Sequence, residues 1–207
     1  MKDLKEHIVE GLKIGANTKV HMHYHPKTHD ELKKLVKKLI KEHGNNADLN
    51  DIDTSAITDM ASLFFASKFN GDISRWDVSN VKDMHAMFYQ SKFTGENGDI
   101  SGWDVSKVDN MYGMFAESKF NGDISEWDVS NVKSMQRMFA YSKFDGDISK
   151  WDVSNVEDMH NMFYESWFTG KNGDISKWDV NNVTDMGSMF NNSPLENNPP
   201  KWYKKKK

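Results

Sequence analysis

The chain has 207 residues, enough for one ordinary domain or one array of short repeats, and it contains no cysteine, which excludes disulfides and thiolate chemistry. Its 12 Phe, 7 Trp, 6 Tyr and 13 Met supply ample core material. Charge is unevenly placed: residues 49–200 carry twelve Lys and Arg against twenty-four Asp and Glu, while residues 1–48 and 201–207 are net basic. An acidic body of this kind opposes a polyanionic partner, so nucleic acid is not expected.

The opening MKDLKEHIVEGLK has no apolar stretch long enough for a signal peptide, and no membrane-spanning run occurs after it. The expected location is the cytoplasm of the producing cell or a virion, without a membrane partner. Leu4, Ile8, Val9 and Leu12 form an amphipathic stripe, and Val20, Met22 and Tyr24 alternate with His21, His23 and His25 as in a strand. PKTHDELKKLVKKLIKEHG reads as a helix with a Thr28/Glu31 capping box, an apolar face of Leu32, Leu35, Val36, Leu39 and Ile40, and a stop at Gly44. Residues 1–48 are thus expected to form a helix–strand–helix cap on the rest of the chain. His21, His23, His25 and His29 have two readings, a metal cluster or solvent-facing histidines on an edge strand; no carboxylate or cysteine completes a ligand set, and no metal is expected. Five lysines from Lys33 to Lys41 read as a solvated helix face.

From residue 49 the sequence repeats. GDISRWDVSNVKDMHAMF (71–88) returns with small changes at 98–115, 122–139 and 146–163. Trp76, Trp103, Trp127, Trp151, Trp178 and Trp202 set the register at gaps of 27, 24, 24, 27 and 24 residues. Three-residue insertions enlarge one Gly-containing turn, at FTGENGDIS and FTGKNGDIS. With degenerate copies at both ends, about seven coils of 24–27 residues occupy residues 49–203, and residues 204–207 form a basic tail. Within a coil, Trp-Asp-Val alternates as a short strand does, and Val156, Met159, Met162 and Phe163 fall at helical spacing. Eleven methionines, in two columns typified by Met84 and Met87, are expected in the core with the tryptophans.

The sentence FNGDISxWDVSNVxxMxxMF closely resembles the BspA-like leucine-rich repeat family, found in bacterial surface proteins and phage genomes. The resemblance implies an α/β fold: a leucine-rich-repeat-like solenoid with a curved parallel β-sheet on one side. It also implies a role in protein recognition or adhesion.

Two columns of carboxylates invite a functional reading. Asp53, Asp77, Asp104, Asp128, Asp152 and Asp179 come directly after the Trp position, and strand geometry would turn them out of the sheet face. Stacked about 4.8 Å apart, neighbours would repel by roughly 0.9 kcal/mol even in water. Three compensations are open: N–H groups of the next turn, a basic partner, or bound cations. Asp72, Asp99, Asp123, Asp147 and Asp174 come after Gly and read as turn residues; they do not have the spacing of a Ca²⁺ loop. No nucleophile–base set or phosphate loop recurs, so no catalytic residue, enzyme activity or cofactor is expected.

What varies between repeats is Arg75, Gly102, Glu126, Lys150 and Lys177 before Trp, and His85, Tyr112, Gln136, His160 and Gly187 after Met. Fixed framework with variable surface points to a protein-binding module, favoured as a monomer, that meets a partner with basic residues. The expected contact residues are Asp77, Asp104, Asp128, Asp152, Asp179, Arg75, Glu126 and Lys150. The competing expectation is a structural or adhesion component, in a virion or at a cell surface, that contacts neighbours or a host.

Overall fold

The computed structural model describes residues 22–203. The stripe at residues 4–12, His21 and the basic tail at 204–207 therefore lie outside the described residues. The helix expected after Thr28 is present as α1, His29–His43. Thr28 Oγ1 accepts the Glu31 N–H at 3.3 Å, Glu31 reaches back to accept the Lys27 N–H at 2.7 Å, and the Gly44 N–H, at φ 89°, closes on the Ile40 carbonyl. Leu32, Val36 and Leu39 are buried in the same core as the first repeat. The strand expected in TKVHMHYH, residues 18–25, reduces, among the described residues, to one parallel bridge between Tyr24 and Ile52.

The expected α/β solenoid with a parallel sheet is not found. Among the described residues there is no β-strand and no sheet; the regular elements are α1 and one turn of 3-10 helix, Ile175–Lys177. Neither the Trp-Asp-Val strand nor the Met-x-x-Met-Phe helix forms. The reason lies in where each backbone N–H goes. At the tryptophan, the N–H turns back to the Ile carbonyl three residues earlier, and the Asp side chain takes the N–H two residues on, so the segment uses its donors in turns. At the methionines, alternate residues divide the work. The N–H groups of Met84, Ala86, Phe88 and Gln90 donate to the carbonyls of Asn110, Tyr112, Met114 and Ala116 in the next repeat at 2.7–3.0 Å. Those of Met87, Tyr89 and Ser91 close turns onto residues three back.

This alternation needs two left-handed residues per repeat, four apart. They are Ala86 and Gln90 (φ 51° and 55°), then Gly113 and Glu117, Arg137 and Tyr141, Asn161 and Glu165. A positive φ at the third position of a turn gives the type II geometry. It is incompatible with both an α-helix and a strand. Neither column contains a β-branched residue, for which that conformation is most strained. Each repeat is therefore a run of overlapping turns, stacked on the next through four N–H to carbonyl bonds along the methionine segment, others such as Asp109 N–H to the Lys82 carbonyl, and a parallel bridge such as Asp83–Asn110.

The core is a set of columns running along this stack. Phe64, Phe88, Phe115, Phe139, Phe163 and Phe190 stack ring on ring at 5.4–5.9 Å. Each of the first five also stacks on a second Phe five residues later, at 4.2–4.7 Å. Met84, Met111, Met135 and Met159 are fully buried, as are the methionines three residues on; Met186, in the last repeat, is half-buried. Trp76, Trp103, Trp127, Trp151 and Trp178 are buried, and each donates its Nε1–H to a main-chain carbonyl of the preceding repeat, as Trp127 does to Ile100 at 3.1 Å. That carbonyl already accepts the Trp103 N–H, so one oxygen ties two repeats together.

The core and the turns can be tested separately. Trp127→Ala removes a buried ring and its inter-repeat bond and should cost about 3–5 kcal/mol, whereas half-buried Trp202→Ala should cost clearly less; chemical denaturation measures both. Arg137 is exposed at φ 57°, so Arg137→Gly should be neutral or stabilising while Arg137→Val should lose about 1–2 kcal/mol.

Candidate functional site

The residues expected to meet a partner are all exposed. Asp77, Asp104, Asp128, Asp152 and Asp179 are all exposed, flanked by buried Trp and buried or half-buried Val, so the inside–outside alternation holds without a sheet. Each carboxylate is already engaged by its own repeat. Its Oδ1 accepts the N–H two residues on, from Ser79, Ser106, Ser130, Ser154 or Asn181, at 3.0–3.1 Å. The hydroxyls of Ser79 and Ser106 donate to the same oxygen. The first of the three compensations thus operates: the local turn satisfies one oxygen of each carboxylate and leaves the face polar.

These bonds favour the charged carboxylate. The Ser55 hydroxyl, followed by His25 and the Ser55 N–H, brings Asp53 down to about 2. Asp104 and Asp152 are likewise lowered, first by the hydroxyls of Ser106 and Ser154. In the second column the N–H groups of Ser125, Ser149 and Ser176 lower Asp123, Asp147 and Asp174. That column is made of turn residues, as its position after Gly implied.

The variable residues before Trp pair along the stack. Lys150 Nζ donates to Glu126 Oε1, and Arg75 Nη2 lies 4.0 Å from Asp48 Oδ2. Beside them runs a ladder of asparagines: Asn80, Asn131, Asn155 and Asn182 donate to the carbonyls of Ser55, Ser106, Ser130 and Ser154 in the repeat before. Lys107 interrupts it and donates to Asn80 Oδ1 at 2.8 Å instead.

Of the amino-terminal histidines, the described His23, His25 and His29 do not converge. His23 Nδ1 faces Asp51 at 3.2 Å, His25 faces Asp53 at 3.1 Å, and His29 lies 3.2 Å from the Asp59 carbonyl, so each meets a different partner in the first repeat. Among the described residues no group of three His, Cys, Asp or Glu is placed to hold a metal ion. His85 pairs with Asp83 in its own turn, and His160 lies 3.5 Å from Asp185 one repeat on.

Sequence reasoning missed two features. One is a third turn column, Asp59, Asp83, Asn110, Asp158 and Asp185, whose Oδ1 atoms accept N–H groups two residues on at 2.7–3.0 Å. The other is a group of exposed aromatic side chains, Phe65, Tyr141 and Trp167, in the variable stretch after the fixed Met-Phe word. The sequence signal is clear for two of them: Tyr141 stands where other repeats have Ala, Gln, Glu or Asn, and Trp167 where they have Lys or Pro, whereas the position of Phe65 holds Tyr in two other repeats.

The chain belongs to a family described as Mycoplasma protein of unknown function, DUF285, whose profile matches residues 31–139 and again residues 90–203. Two overlapping matches are what a repeated sequence produces. No curated protein and no solved structure matches the chain. No helix among the described residues is long and apolar enough to cross a membrane.

The hydroxyl contribution is open to direct measurement. Ser106→Ala should raise the titration midpoint of the Asp104 carboxyl, followed by carboxyl-carbon NMR, toward its ordinary 3.8. Because these groups titrate lower when folded, the stability they confer is present above about pH 4 and is lost as pH falls toward 2. Ser106→Ala should therefore unfold at slightly higher pH than the parent on acidification.

Proposed function

We propose that this chain is a non-enzymatic protein-binding module, akin in its repeat sentence to the BspA-like proteins. Its partner carries basic residues and docks along the exposed Asp column, centred on Asp104, Asp128 and Asp152, with Asp77 and Asp179 at the margins. Arg75, Glu126 and Lys150 discriminate among partners.

The observation behind this reading is the contrast between inside and outside. Between Trp76 and Phe168 the buried Trp, Val, Met and Phe columns keep one residue type from repeat to repeat, while the exposed position before Trp runs Arg75, Gly102, Glu126, Lys150, Lys177. A framework whose turns hold one carboxylate oxygen leaves the other facing solvent in a fixed place, so the ordering cost of docking there is small. Charge pairing of this kind mainly speeds association and weakens with salt.

A lysine-rich synthetic peptide serves as the probe. Asp104→Asn/Asp128→Asn/Asp152→Asn keeps the Oδ1 acceptor that each turn uses, so the fold should survive. Stopped-flow measurement should show the association rate falling several-fold and its salt dependence flattening. Unchanged kinetics in the folded triple variant would remove the Asp column from the interface. If sedimentation of the full chain instead shows extended self-assembly, the structural or adhesion role takes precedence.

A further inference from the structure

The large hydrophobic side chains that stand most exposed among the described residues all lie on one ridge. Phe65 is 50% exposed, Tyr141 47% and Trp167 61%. They fall one, two and four positions after the buried Phe of their repeats, Phe64, Phe139 and Phe163. Contacts between repeats run along it: Phe65 stacks on Tyr89 at 5.2 Å, Tyr89 donates its hydroxyl to Glu117, Tyr141 meets Tyr164 edge-on at 5.4 Å, and Lys143 Nζ sits 4.7 Å over the Trp167 ring.

The ridge is also basic, against the trend of the acidic body. Lys68, Lys92, Lys119 and Lys143 occupy one exposed position in four successive repeats, and exposed Arg137 joins them, against the carboxylates of Glu117 and Glu165. At its amino-terminal end, α1 closes over the ridge to leave an open cleft of about 400 Å³ lined by Lys33, Lys37, Ser62, Leu63 and Phe65. A half-exposed Phe65 ring beside two ammonium groups suits an apolar side chain that has carboxylates beside it.

We propose that this cleft and ridge form a second docking surface, for an acidic segment of another protein with aromatic or aliphatic side chains among its carboxylates. Four inter-repeat steps of 5.4–5.9 Å separate Phe65 from Trp167, which gives roughly 22 Å, the reach of about seven extended residues. Nucleic acid fits less well. Its charge recurs with every nucleotide, so it would meet Glu117 and Glu165 inside the ridge as well as the acidic body around it. A segment with a few carboxylates can place them at the lysines and its apolar groups at the rings.

The probe is a fluorescent random copolymer of Glu and Tyr, with poly-Glu, heparin and a thymidine oligonucleotide as comparators, titrated into the full chain. The copolymer should bind at least tenfold more tightly than poly-Glu. Trp167→Ala and the pair Lys33→Gln/Lys37→Gln should each weaken it three- to tenfold, whereas Asp104→Asn/Asp128→Asn/Asp152→Asn should leave it unchanged. That last arm keeps a failure here distinct from a failure of the Asp-column reading, which the lysine-rich peptide tests. Should the paired lysine variant lose stability, Trp167→Ala decides, because its ring is largely in solvent. Equal affinity for poly-Glu, or no effect of Trp167→Ala, overturns the proposal. Tighter binding of heparin or oligonucleotide through the same lysines would make the ridge a polyanion site instead. Self-association abolished by Trp167→Ala would make the occupant a second copy of this chain.

Discussion

Four main-chain hydrogen bonds join each repeat to the next along the methionine segment, from alternate N–H groups of one repeat to alternate carbonyls of its neighbour. Everything else is arranged around them. For every second N–H to point along the stack, the remaining ones must close turns, and closing turns two residues apart demands a left-handed residue twice per repeat. The left-handed positions hold Ser, Ala, Gly, Gln, Glu, Arg, Tyr and Asn, so most of them carry a conformational cost of about 1–2 kcal/mol that a glycine would avoid. That cost is offset by the aromatic and methionine columns that this spacing brings into register, since burying one Phe or Met contributes about 1.5–3 kcal/mol.

The outer surface inherits its chemistry from the same constraint. Three turn columns use an Asp or Asn side chain to hold the N–H two residues on, so the acidity of the body is in large part a consequence of how the chain turns. A carboxylate used in this way is pinned, charged and half-engaged, which makes a rigid acidic face. The aromatic and lysine ridge is different. Nothing in the turn geometry requires a Phe at 65 or a Trp at 167, because other repeats make the same turn with Ala, Lys or Pro nearby. Residues that the architecture does not need are the ones free to serve recognition.

The repeat, its period, the helix at His29–His43 and the identity of the buried side chains are all dictated by residue order, since Trp, Met and Phe at fixed intervals leave no alternative to a shared core. The outward direction of the Asp after Trp is dictated in the same way, because apolar neighbours on both sides must point in. The secondary structure of the repeats was not legible. Apolar residues three and four apart describe an α-helix and a run of three-residue turns equally well, and Trp-Asp-Val alternates whether or not it pairs with anything. The choice between them is made by the neighbouring repeat, whose carbonyls offer partners at every second residue, 23 or 26 positions away in the chain. Likewise, the gathering of Phe65, Tyr141 and Trp167 onto one basic ridge exists only once the repeats are stacked. Side chains a hundred residues apart come onto one edge of the stack, four repeats from end to end, an arrangement that no local pattern encodes.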